Sequence, residues 1–160
     1  MAKSKSNVIV FPALLTVVES LKKTYPVALA EVDEKRILFL KSDGKSKRVA
    51  KIVPIKVPHP SVTAYRFALT IFSQYDEIDQ ARQVLHILRE VLRIEDFENC
   101  KMCSYPLQDF PVIVEKYGTT WEDNEELVNP LDEKKKKEVK PVVEEVAEEI
   151  TEETEEETEE

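Results

Sequence analysis

"RILFLKSDGKSKRVAKIVPIKV", Arg36 to Val57, decides the fold by how its two halves pair. Arg36 to Lys41 reads as a strand, "SDGK" (Ser42 to Lys45) supplies the Asp-Gly pair of a tight hairpin turn, and Arg48 to Val57 reads as the returning strand. Pro54 has no N–H to give a ladder, so the second strand is expected at a sheet edge or a bulge. Past "PHP" (Pro58 to Pro60), the segment Val62 to Phe72 is rich in β-branched and aromatic residues and predicts a third strand. The pattern therefore predicts a small, mostly antiparallel three-stranded sheet.

Helices flank this sheet in sequence. At 100° per residue, Val10 to Lys23 places Phe11, Leu14, Leu15, Val18 and Leu21 on one side and Thr16, Glu19, Ser20 and Lys23 opposite, with Pro12 suited to the first turn. A longer helix is expected from about Asp76 to Ile94. A short one should run from about Gln108 to Tyr117 and stop at Gly118, a residue type common where helices end in a left-handed cap. The fold class is α+β. One domain over residues 8–124 is expected, followed by a charged linker and an acidic, largely disordered tail over 125–160.

The charge is unevenly divided. Of 32 acidic residues, 12 lie between Glu138 and Glu160 with Lys140 as the single base there, which leaves 20 acidic against 22 basic residues for Met1 to Lys137. A near-neutral body is not a dedicated nucleic-acid binder, because phosphate contacts need clustered Lys and Arg. Lys134 to Lys137 form the basic cluster, and they belong to the linker. "KPVVEEVAEEITEETEEETEE" (Lys140 to Glu160) has apolar residues at helical spacing up to Ile150 and then a glutamate run that repels itself. It reads as a solubilising tail, with a basic protein partner as the other reading.

Two cysteines in "CKMC" are too few for a disulfide framework, so a reducing, cytoplasmic setting is expected. The N-terminus has the basic start and apolar run of a signal peptide, but Pro12, Glu19, Lys22 and Lys23 interrupt it and no small-residue cleavage site follows. No stretch reaches the roughly 18 apolar residues of a membrane span.

The long helix carries the candidate chemistry. In "VLHILREVL" (Val84 to Leu92), Val84, Leu85, Ile87, Leu88 and Val91 share one side, and Arg82, His86, Arg89, Glu90 and Arg93 the other. His86 and Glu90 are one turn apart near the middle of that polar side. It is either a solvated face laced with ion pairs or the wall of a cleft.

The following segment, "QDFPVIVEKYG" (Gln108 to Gly118), resembles the C-terminal signature of a phage metallopeptidase family, in which an acidic-Phe-Pro helix ending in Tyr-Gly follows a metal-binding histidine. The order helix, three strands, long helix, short helix is similar too, over roughly Val8 to Trp121. The resemblance implies His-Glu-x-x-His on the long helix, two zinc ligands flanking a general base. His86 keeps the first ligand position, Glu90 stands at the second, Ile87 replaces the base, and Tyr105 replaces a third histidine ligand. Peptide hydrolysis by that mechanism is therefore not expected, and a binding or regulatory role is.

A rearranged metalloenzyme is the competing expectation. Cys100 and Cys103 could join His86 and Glu90 as a tetrahedral zinc set. No zinc or other cofactor is expected as the first reading. A third reading is an unrelated small interaction protein with a solvated polar face. Other residues have plainer roles: His59 between prolines belongs to an extended surface segment, Asp76, Glu77 and Asp79 complement the long helix's N-terminus, and Trp121 covers the end of the short helix. With two glycines in the chain, a phosphate-cradling loop can hardly be built.

Overall fold

The computed structural model describes residues 6–56 and 64–132. Its elements are β1 (Val8–Val10), α1 (Ala13–Thr24), β2 (Ile37–Ser42), β3 (Ala50–Pro54), β4 (Phe67–Ile71), α2 (Gln80–Val91), β5 (Ile94–Asp96), β6 (Lys101–Met102) and α3 (Pro111–Tyr117). Single 3₁₀ turns lie at Glu34–Arg36, Ser73–Glu77 and Trp121–Asp123. The class is α+β, as the patterning predicts. His59, the lysine run Lys134 to Lys137 and the acidic tail lie outside the described residues.

The hairpin expected from "RILFLKSDGKSKRVAKIVPIKV" does not form. The main sheet has four strands in the order β1-β2-β4-β3, so β4 separates the two strands that the turn was expected to join. β2 runs parallel to β4 and β3 antiparallel to it. The sheet is mixed, not a three-stranded antiparallel one.

Burial explains the exchange. β4 is buried at four of its five positions, whereas β3 exposes Lys51 and Val53 and ends on Pro54. A strand lacking a ladder N–H belongs outside and the most apolar strand belongs in the centre. The Asp-Gly pair finds another use, since a primed hairpin turn needs positive φ and Gly118 is the one glycine that has it. Asp43 instead holds β1 against β2, accepting the Asn7 N–H at 2.7 Å through Oδ1 and donating its own N–H to the Asn7 carbonyl. A Cβ on Gly44 would lie 3.0 Å from the Ser6 Cβ, so a side chain there would crowd the incoming strand.

One face of the sheet is dry. Ile37 and Phe39 of β2, Ala50 and Ile52 of β3, and Phe67, Leu69 and Ile71 of β4 lie side by side in register. They form one core cluster with Leu14, Val18 and Leu21 of α1 and Val84, Leu85, Ile87, Leu88 and Val91 of α2. Both helices thus bury the stripe that their 3.6-residue period predicts. α2 begins later than expected, where Asp79 caps it by accepting the Arg82 N–H at 3.0 Å. Asp76 pairs with Lys41 instead.

Two parts escape the pattern. β1 is three residues long and merges in sequence with the apolar onset of α1; β5 and β6 form a second, two-stranded sheet whose turn sets Phe97 against Phe67 with ring centroids 5.3 Å apart. Beyond α3, Trp121 is buried, and Leu127, Asn129 and Leu131 also pack on the body. No helix among the described residues is long and apolar enough to cross a membrane.

Candidate functional site

The polar face of α2 forms one wall of a cleft of about 590 Å³. Facing it are the approach to β3 (Lys47 to Ala50), Tyr105, and the turn that carries Glu122 and Asp123. The cleft reading of this face therefore holds, and the solvated-face reading does not. Glu90 is 4% exposed.

Glu90 is committed on both oxygens. Its Oε2 accepts the Ile52 N–H at 2.9 Å and lies 3.4 Å from Arg93 Nη1, while its Oε1 accepts a short hydrogen bond from the Tyr105 hydroxyl. Ladder bonds of β3 run from its odd-numbered residues to β4, as the Phe72 N–H to Val49 carbonyl bond shows, so the Ile52 N–H points to the free edge of the sheet. Glu90 thus caps an edge amide that would otherwise be buried without a partner. Burial, followed by the Glu90 carboxylate, pushes the Tyr105 hydroxyl above the ordinary phenol range, which keeps it a proton donor.

Three guanidinium groups surround the Tyr105 ring: Arg93 at 4.2 Å from its centroid, Arg89 at 5.0 Å and Arg48 at 5.6 Å. Arg93 is held further by the Tyr105 oxygen at 3.2 Å and the Cys103 carbonyl at 3.2 Å. Arg89 reaches Asp109 and Glu122. Its Nε lies 3.2 Å from Asp109 Oδ2 without the alignment of a directed hydrogen bond, so that contact is an ion pair only.

Asp109 ties the far wall together. It has φ of 72°, a left-handed conformation that Asp tolerates better than most residues. Its Oδ1 accepts the Phe110 N–H at 2.8 Å and its Oδ2 accepts the Trp121 indole N–H at 3.1 Å. Trp121 in turn stacks edge-on against His86, with ring centroids 4.9 Å apart. Burial depresses the His86 pKa to about 4, reinforced by Arg89 and Arg82 and opposed by Asp109. The imidazole is neutral at physiological pH. Arg82 is a clamp, donating to the carbonyls of Glu122 and Asn124 at 2.7 and 2.6 Å.

The four residues considered as zinc ligands are dispersed among other roles. Cys100, at φ 53° in the turn between β5 and β6, points its Sγ at the Arg66 carbonyl, 3.7 Å away, and Cys103 Sγ lies 4.0 Å from the Leu92 carbonyl. Neither thiol lines the cleft. Among the described residues, no three His, Cys, Asp or Glu side chains converge as a metal ion requires. Glu90 has both oxygens engaged in hydrogen bonds, and Ile87 is buried in the core.

Arg48 and Asp109 are the site residues that the sequence does not single out, whereas Arg89 and Arg93 belong to the polar face that the helical period predicts. The i, i+3 pair Glu90 and Arg93 was visible on the polar face; the approach of Arg48 across the cleft had no local signal. In comparisons with known proteins, no family model matches the chain, and neither does any curated protein or solved structure.

Proposed function

We propose that the domain is a binding or regulatory protein, derived from a phage-type metallopeptidase, that has lost peptide hydrolysis and uses its cleft to hold a ligand or partner. The observation that carries this reading is the closed network Ile52–Glu90–Tyr105–Arg93, which occupies the place where the family's second and third ligands would act. Hydrolysis needs a water activated by a metal or a free base. Here His86 is turned against Trp121, Glu90 serves the sheet edge, and Ile87 has no proton to exchange. Exposed Lys47 and Arg48 line the cleft together with exposed Glu122 and Asp123, so the occupant it suits is one that meets charges of both signs.

The deciding measurement is metal content and proteolysis on untagged, chelator-free protein, beside His86→Ala. The expected result is no stoichiometric zinc and no cleavage of an unfolded protein substrate. Chelator-sensitive cleavage that disappears in His86→Ala would overturn the proposal and favour a metalloenzyme with a rearranged site.

A further inference from the structure

The two edges of the main sheet are treated differently. β3 is guarded: its outward Ile52 N–H is bonded to Glu90, Lys51 is exposed along it, and Pro54 ends it. These are the devices by which proteins blunt a free edge. β1 has no charge, proline or capped amide within it, and only its three-residue length limits it as an edge. Its sequence is Val-Ile-Val, and Val8, Ile9 and Val10 are 53%, 58% and 65% exposed.

The direction of its backbone groups follows from its pairing with β2. The Phe11 N–H donates to Phe39 and the Asn7 carbonyl accepts from Asp43, so odd-numbered residues face β2. Val8 and Val10 therefore aim their N–H and C=O groups away from the sheet. We propose that β1 is a self-association edge, at which a second copy of this chain adds its own β1 antiparallel across a two-fold axis through Ile9.

In that register Val8 stands opposite Val10 of the second copy, Val10 opposite its Val8, and Ile9 opposite its counterpart. Each Val8–Val10 pair exchanges two N–H···O=C bonds, so the outward groups of both strands are all used. Shifting the register to set Val10 against its counterpart puts Val8 opposite Pro12, which has no N–H. The two-fold axis makes the contact isologous, and Val-Ile-Val ensures that every residue of β1 meets an apolar one across it. No charge is opposed to its like, since β1 has none and the neighbouring Lys41 is paired with Asp76 at 2.7 Å. The joined sheet has eight strands, with both free edges formed by the guarded β3.

Area sets the strength. Three edge residues offer a few hundred Å² per copy, against about 800 Å² per partner in a standard stable complex. The dimer is accordingly weak and reversible, governed by concentration.

Sedimentation velocity on the full chain, over a roughly hundredfold concentration range, should show a monomer passing into a dimer. Ile9→Lys, an exposed substitution that preserves the fold by circular dichroism, should remain monomeric throughout. Hydrogen exchange on the wild type distinguishes this edge from any other contact: the Val8 and Val10 amides should be protected only at high concentration, and the Ile9 amide, bonded to β2, at both. A wild type that stays monomeric, an Ile9→Lys variant that dimerises equally, or a dimer whose Val8 and Val10 amides exchange freely would each overturn the proposal.

Discussion

Glu90 shows how far a residue's role depends on where its neighbours end. On a helical wheel it sits on a polar face, and one turn from His86 it has the spacing of a metal ligand. In the folded chain its carboxylate is spent on the Ile52 N–H, Tyr105 and Arg93. Glu90→Ala leaves the buried Ile52 amide without its acceptor and Arg93 without its carboxylate partner, so it should cost about 3 kcal/mol in urea denaturation, and Tyr105→Phe about 1 kcal/mol. Losses within about 0.5 kcal/mol for both would place Glu90 on an ordinary surface. His86 supplies the second prediction at this scale. Its pKa is about 4 in the fold against 6.5 for an ordinary histidine, so the unfolded chain takes up the proton first as pH falls. Stability should therefore decline from about pH 6.5 downward and level off near pH 4, a loss on the order of 3 kcal/mol in this one linkage. His86→Gln should remove that part of the slope, leaving the carboxylates. An imidazole that titrates near 6.5 by NMR would contradict the burial assigned to it.

Among the elements, those with a strong local signal were legible. The apolar stripes of α1 and α2 follow from residues within one helical turn of each other, whereas α2 and α3 start later than their expected Asp76 and Gln108, at Gln80 after the Asp79 cap and at Pro111. Gly118 stops α3 as its position predicts, but in another conformation: φ is 80° and ψ is 173°, an extended conformation nearly confined to glycine rather than the left-handed helical one. Nothing lies within 4 Å of a Cβ placed there, so Gly118→Ala tests backbone strain without a clash. It should destabilise by about 1–3 kcal/mol in thermal or urea unfolding. An unchanged midpoint would mean that α3 can end otherwise. β1 and the β5–β6 pair were not legible, because strands of two or three residues are too short to display a period.

At the scale of the whole molecule the decisive event is the insertion of β4 between β2 and β3. It puts the most buried strand at the centre, sends β3 to an edge that α2 must cover, and leaves β1 as the other edge. The cleft is a consequence, because the helix that covers β3 brings its polar stripe to the start of that strand and to Tyr105. The last turn of the body, held by Trp121 on His86 and by Asp109, closes the far side.

The sequence by itself determined the α+β class, the apolar stripes of the two amphipathic helices, and that the strand bearing Pro54 lies at an edge or a bulge. Each rests on propensity, periodicity or covalent geometry acting over a few residues. Tertiary structure alone decided the strand order, the destination of the Asp-Gly pair, and the convergence of Arg48, Arg89 and Arg93 on Tyr105. An alternating pattern serves a hairpin and a split pair equally well, and only the burial gained by placing β4 in the middle distinguishes them. The fate of Glu90 follows the same rule, since a carboxylate's function depended on an amide 38 residues away that only the folded sheet presents to it.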